Sequence, residues 1–144
     1  MKIGICADHA GFELKQQLVA YLQKKGYEVR DFGTDSTQSM DYPDVAHPLA
    51  DAVVAGKVDC GIALCGTGNG MAMSLNHHRS IRAGLAWNKA IAELIKAHND
   101  ANVLVMPARF ISPAMARLII RTWLGTAFEG GRHQRRIDKI EPGR

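Results

Sequence analysis

Apolar runs of strand length alternate along this chain with stretches whose apolar residues recur at helical spacing. "KIGIC" (2–6) opens the pattern, and "FELKQQLVAYLQKKG" (12–26) then puts Phe12, Leu14, Leu18, Tyr21 and Leu22 near one helical face, with Gly26 as its stop. "YEVRDFG" (27–33) reads as a second strand. A polar loop, "TDSTQSMDYP" (34–43), follows it, and residues 44–55 carry a helical pattern interrupted early by Pro48. "CGIALC" (60–65) is a third strand, and "MAMSLNHH" (71–78) begins a helix after a glycine-rich turn. "RAGLAW" (82–87) and "ANVLVM" (101–106) read as strands four and five. Between them Ala90, Ile91, Leu94 and Ile95 form a helical stripe. A last long helix is predicted over "SPAMARLIIRTWLG" (112–125), with Ser112 as N-cap, Pro113 at the first helical position and Gly125 beyond its end.

The unit is therefore strand then helix, five times over. Apolar strands alternating with helices require a parallel sheet covered on both faces, and right-handed crossovers make it doubly wound. The expected fold class is α/β, a Rossmann-like doubly wound three-layer sandwich with a five-stranded parallel sheet, built as a single domain over residues 1–144. Ligands of such folds bind outside the carboxyl ends of the strands. The residues to inspect are Asp8 and His9 after strand one, residues 65–70 after strand three, Trp87 and Asn88 after strand four, and residues 107–109 after strand five.

Composition narrows the class. With 144 residues, 47% hydrophobic and 22% charged, the chain can bury one core. No apolar run approaches a membrane span and the start lacks the apolar core of a signal peptide, which points to a cytoplasmic protein with no membrane partner. Cys6, Cys60 and Cys65 are odd in number and lack CxxC spacing, so neither a disulfide framework nor a zinc knuckle is indicated. The net charge of +4 is moderate, and "GGRHQRRIDK" near the end suits an anionic partner. A nucleic acid is disfavoured there, because Asp138 and Glu141 interrupt the basic cluster and no aromatic stacking platform or recognised motif accompanies it.

The turn "CGTGNG" (65–70) is the most specific local feature. Its glycines permit positive φ and let backbone N–H groups face an anion at a helix start. It lacks the spacing of the dinucleotide fingerprint and the lysine of a Walker A loop. Two readings stand: an anion cradle, or a sharp strand-to-helix turn. Cys65 likewise reads as a base or nucleophile favoured as thiolate by the helix start, or as a small buried hydrophobe. Asp8 and His9 share the crevice as a carboxylate and imidazole, or as a cap and a loop histidine. His98 ends a helix, where Asp100 can orient its ring, and Asn99 follows as a turn residue or a ligand contact. Arg109, Arg132 and Arg136 suit a phosphate through bidentate guanidinium forks, or form a solvated tail. His47, His77 and His78 show no ligand spacing with a carboxylate, so no metal site is expected.

Taken together, "DHAGFELK" (8–15), "DYPD" (41–44), "CGTGNGM" (65–71), "HNDANVL" (98–104) and "FEGGRHQRRIDKI" (128–140) resemble the type B ribose-5-phosphate isomerases and the related galactose-6-phosphate isomerase subunits, over essentially the whole chain. The resemblance implies an aldose–ketose isomerase that converts ribose 5-phosphate to ribulose 5-phosphate through an enediolate, with neither metal nor organic cofactor. It implies Cys65 as the base between C2 and C1, His98 with Asp8 in ring opening, and Thr67 assisting a proton movement. Gly66, Thr67, Gly68, Asn69 and Gly70 match the anion hole, Tyr42 and Asn99 the substrate contacts, and His9, Arg109, Arg132 and Arg136 the phosphate set. It also implies a homodimer, or two such dimers paired into a tetramer, with shared active sites and residues 126–144 packing on the partner subunit. Two alternatives remain: an isomerase of a six-carbon aldose 6-phosphate such as allose or galactose 6-phosphate, and a non-catalytic sugar-phosphate binder. The chain departs from the family pattern at Asn76 to His78, usually asparagine then lysine, and at Pro107, where glycine is common. These departures bear on substrate size more than on reaction type.

Overall fold

The computed structural model describes residues 1–143. Its strands fall on the apolar runs: β1 (Lys2–Ala7), β2 (Glu28–Asp31), β3 (Cys60–Cys65), β4 (Ala83–Leu85) and β5 (Val103–Pro107). They are interleaved with α1 (Phe12–Lys24), α2 (Pro43–Val54), α3 (Asn69–Asn76), α4 (Lys89–Ala97), α5 (Pro113–Gly125) and α6 (Arg132–Ile137). The strands all pair in parallel, in the order β2-β1-β3-β5-β4. This is the doubly wound α/β sandwich that the alternation predicts.

Strand period two divides the core between the faces of the sheet. Ile3, Ile5, Ile62 and Leu64 pack with Leu14, Leu18 and Leu22 of α1 and Ile119, Ile120 and Trp123 of α5. Cys6, Ala63, Cys65 and Val105 pack instead with Val45 and Leu49 of α2 and Met71 and Leu75 of α3. The same alternation decides that Cys65 faces the helix following its own strand. Among the described residues, no helix is long and apolar enough to cross a membrane.

Several boundaries differ from the sequence expectation for local reasons. α2 runs through Pro48, because its inner face buries Val45, Ala46, Leu49 and Ala50 and only one carbonyl acceptor loses its donor. β4 is half the expected length. Its approach is diverted when Arg82 donates its backbone N–H to Asn102 Oδ1 at 2.8 Å. The exposed side of Ala83 is bracketed by Asn76, which accepts from the Ala83 N–H at 2.8 Å and donates to its carbonyl at 3.0 Å, as a neighbouring strand would. Ser112 caps α5 as expected, accepting from the Met115 N–H at 3.1 Å. Gly125 is the last helical residue rather than the first beyond the helix. Where no helix was expected, residues Arg132–Ile137 form α6. It is held to the end of α4 by the Glu129 N–H donating to the Ala97 carbonyl at 2.9 Å, and Glu141 pairs with Arg79 and the Ser80 N–H.

Gly11 sets the closest approach of α1 to the sheet. A Cβ there would lie 2.8 Å from Leu64 Cβ and 3.1 Å from Ala7 Cβ, on strands that cannot retreat. Gly11→Ala is expected to cost about 1–3 kcal/mol of stability by overpacking, read as a lower thermal midpoint with the native circular-dichroism spectrum retained.

Candidate active site

The strand order reverses between β1 and β3, and there the first half of the site is built. Asp8 and His9 leave β1. Asp8 is 7% exposed, and its Oδ1 accepts the Ala10 and Gly11 N–H groups at 3.0 and 3.2 Å, which holds the turn that leads into α1. Half-buried His9 accepts the Met40 N–H on Nδ1 at 3.2 Å, which assigns its own proton to Nε2.

Beside them, the glycine turn carries β3 into α3. Gly68 has φ +81, and a Cβ there would strike the Leu85 side chain. The turn folds back so that the Gly68 N–H donates to Cys65 Sγ at 3.1 Å. That contact fixes where the sulfur points, with Cys65 only 5% exposed. Thr67 is exposed, and its Oγ1 accepts the Asn69 N–H at 3.3 Å. The turn is pinned to the end of β5: Ala108 and Arg109 donate N–H groups to the carbonyls of Cys65 and Gly66 at 2.9 and 3.1 Å. The Arg109 guanidinium lies over Gly66, so that a Cβ added there would be 3.3 Å from Nη1. The Tyr42 ring rests closer still on Gly70, its hydroxyl 2.8 Å from where a Cβ would stand. Both glycines admit a side chain that a larger residue would displace.

A second group forms at the end of α4. His98, Asn99, His133 and Arg136 line a cavity of about 290 Å³ with Ile137 and Ile140. The His98 and His133 rings stack with centroids 4.2 Å apart and planes inclined by 12°. Glu129 Oε1 lies 3.5 Å from His133 Nε2 and 3.8 Å from His98 Nε2. Asp100, expected to orient His98, turns instead to Lys96 Nζ at 3.1 Å and Arg82 at 3.6 Å, while the Asn99 and Asp100 carbonyls accept from Arg82 Nε. Glu129 takes the place expected of Asp100. His133 and Glu129 were not singled out by sequence reasoning, although their i,i+4 spacing beside Arg132 was a usable signal. Arg132 begins α6 and is exposed.

The expected site residues thus fall into two sets. Asp8, His9, Tyr42, Gly66 to Gly70, Cys65 and Arg109 adjoin one another, and His98, Asn99, Arg132 and Arg136 gather elsewhere. Among the described residues, no hydrogen bond or ion pair joins the sets.

Ligand atoms of His98, Glu129 and His133 lie within 4.8 Å of one another, the composition of a two-histidine, one-carboxylate metal site. The nearly parallel rings direct their in-plane lone pairs side by side rather than to one point, and Arg132 and Arg136 add positive charge. The group is better suited to an anion. A separate correction concerns His78: packing of α2 on α3 gives it a carboxylate partner, Asp51, at 3.5 Å, and a ring partner, His47, at 2.7 Å.

A doubly wound α/β sheet with a glycine turn and a buried thiol at its topological switch point belongs to the class of folds that take small ligands at that place. The family model described as Ribose/Galactose Isomerase matches residues 3–140. Ribose-5-phosphate isomerase B of Escherichia coli is 44% identical over 96% of this chain and 93% of its own length. D-erythrulose-4-phosphate isomerase of Pectobacterium atrosepticum is 41% identical over 97% and 93%. Among solved structures, ribose-5-phosphate isomerase B of Clostridium thermocellum superposes with a TM-score of 0.96 at 45% identity, covering 97% of this chain and 95% of that one. Ribose-5-phosphate isomerase B of Mycoplasma genitalium, with bound ribulose-5-phosphate, gives 0.92 at 40% identity over 96% and 93%. The chain belongs to the ribose/galactose isomerase family, and so to the aldose–ketose isomerases.

Withdrawal from water, then the charges of His98 and Arg132, hold the His133 imidazole below its ordinary value of 6.5, with Glu129 opposing the shift. The fold therefore prefers neutral His133. Unfolding takes up a proton between the lowered and the ordinary value, so stability falls as pH drops through that window. His133→Asn is expected to flatten this dependence, measured as denaturant midpoints between about pH 8 and pH 5.

Proposed function

We propose that this protein interconverts ribose 5-phosphate and ribulose 5-phosphate through an enediolate, with Cys65 as the base. The observation that carries the reading is the Gly68 N–H donating to Cys65 Sγ at 3.1 Å, inside a turn that also supplies the start of α3. Removing a proton beside a carbonyl needs a base and, within reach of it, donors for the oxygen on which charge develops. Cys65 takes the proton from C2 and returns it to C1, and the turn's amides between Gly66 and Gly70 stabilise the enediolate oxygen. Thr67 assists the accompanying transfer between the oxygens.

His98 and Asp8 open the furanose ring, Asn99 and Tyr42 contact hydroxyls, and His9, Arg109, Arg132 and Arg136 hold the phosphate. His9, protonated on Nε2, has a donor for a phosphate oxygen. The reaction moves protons only, and each has a protein carrier, so the proposed chemistry includes no metal or cofactor.

Separation of the two sets supports a homodimer in which Cys65 of one subunit works with His98 of the other. Residues 126–144, which carry the second set's arginines, then pack at the partner. A second reading, an aldose phosphate of another chain length, is favoured by one observation: a relative 41% identical is named for a four-carbon substrate. The same residues also suit the six-carbon 6-phosphates.

Proton NMR of ribose 5-phosphate in heavy water is the direct test. Wild type is expected to yield ribulose 5-phosphate with deuterium at the exchanging carbon, and Cys65→Ala to lose on the order of 10²–10⁴ in rate. Full activity of Cys65→Ala would remove the base assignment. Inactive wild type, with four- or six-carbon phosphates converted instead, would favour the second reading. Sharing is tested by mixing Cys65→Ala and His98→Ala subunits. Recovery to roughly a quarter of wild-type activity is expected, because half of randomly paired dimers hold one intact site of two. No recovery after demonstrated subunit exchange excludes a composite site.

A further inference from the structure

Among the described residues, Lys15 is the one buried lysine or arginine, with 0% exposure on the inner face of α1 beside Leu14, Leu18 and Leu22. Its ammonium donates to Asp31 Oδ2 at 2.5 Å and to Gln16 Oε1 at 3.2 Å. Desolvating an ammonium opposes folding, and its partner carboxylate, 39% exposed and screened by water, returns little of that cost. Stability alone therefore gives no reason for a cation here.

What the pair holds gives one. Asp31 ends β2, an edge strand of four residues that are exposed or half-buried, and apolar packing holds the chain leaving it only at half-buried Phe32 and, eight residues on, Met40. The second Asp31 oxygen accepts the Gly33 N–H at 2.8 Å. Gly33 and Thr34 then bracket Ala7, the residue before Asp8: Ala7 N–H donates to the Gly33 carbonyl at 2.8 Å, and Thr34 N–H to the Ala7 carbonyl at 2.7 Å. The following loop ends at two site contacts, the Met40 N–H on His9 Nδ1 and the Tyr42 ring on Gly70.

We infer that Lys15 is a positioning residue for the phosphate side of the site: through Asp31 it fixes residues 32–42, which hold His9 in its Nε2–H tautomer and lay Tyr42 across the glycine turn. The kinetic part rests on the isomerase reading. Cys65 does not depend on this path, since its turn is pinned to β5. Loss of the pair should thus weaken substrate binding and spare the chemical step.

The test compares wild type with Lys15→Met/Asp31→Asn, checked for folding by thermal unfolding, with Lys15→Met alone if the double variant does not fold. KM for ribose 5-phosphate and the calorimetric Kd for inorganic phosphate are expected to rise about tenfold, with kcat held within about threefold. Nitrogen-15 NMR should report the Nε2–H tautomer of His9 in wild type and a mixture in the variant. A folded variant with unchanged KM, phosphate affinity and His9 tautomer overturns the inference, as does a fall in kcat at constant KM. If wild type fails to isomerise any sugar phosphate, the proposed function fails by itself, and the phosphate and NMR measurements still decide the role of Lys15.

Discussion

The reversal of strand order between β1 and β3 is the constraint on which the first half of the site depends. From that point the chain leaves β1 into α1 on one face and β3 into α3 on the other, so a crevice opens at the carboxyl ends between them. Backbone groups there have no further strand to pair with. The chain meets that need locally: Asp8 takes two N–H groups, Cys65 takes the Gly68 N–H, and the Cys65 and Gly66 carbonyls take the two donors that follow β5. The same bonds that complete the fold thereby orient a carboxylate and a thiol, which is why structural and chemical readings of these residues do not compete.

The second set obeys a different logic. It stands at the end of α4, where two imidazoles, two guanidiniums and one carboxylate meet. Stacked imidazoles disfavour two positive charges, and Glu129 offsets part of that cost. Such a group gains from an anion and has little use for another cation. Its distance in connectivity from the thiol turn is a property of the single chain, and under the proposed function two-fold pairing would make one site from the two surfaces.

Legibility in the sequence followed the range of the interactions involved. Apolar runs and helical stripes are local, so all five strands and five of the helices were readable, as were the Ser112 cap and the glycine turn. Failures lie where a partner distant in sequence decides. Asp100 looked like the companion of His98 because it is two residues away, but Arg82 and Lys96 claim it, and the companion comes from Glu129. Short β4 depends on Asn102 and Asn76, α6 on a backbone bond to Ala97, and the His78–Asp51 contact on packing of two helices. Lys15 is the sharpest case. Its spacing with Leu14 and Leu18 permits burial, but the one carboxylate that pairs with the buried ammonium, Asp31, comes from another element.

The three cysteines show how position separates chemistry within one residue type. Burial pushes the Cys6 thiol far up, with the Asp31 charge adding to it, and burial pushes Cys60 up to about 11. Both stay protonated at neutral pH and serve as small apolar groups; Cys6 is in contact with Met71 Sδ at 3.9 Å. Cys65 lies between them in enclosure, yet it alone is followed by a left-handed glycine whose N–H turns back onto the sulfur. Two residues earlier, Ala63 shares its face of the sheet without that turn, and one residue earlier Leu64 points into the opposite core. The strand end, the period of two and the positive φ of Gly68 together select the one position where a thiol meets both a donor and the crevice.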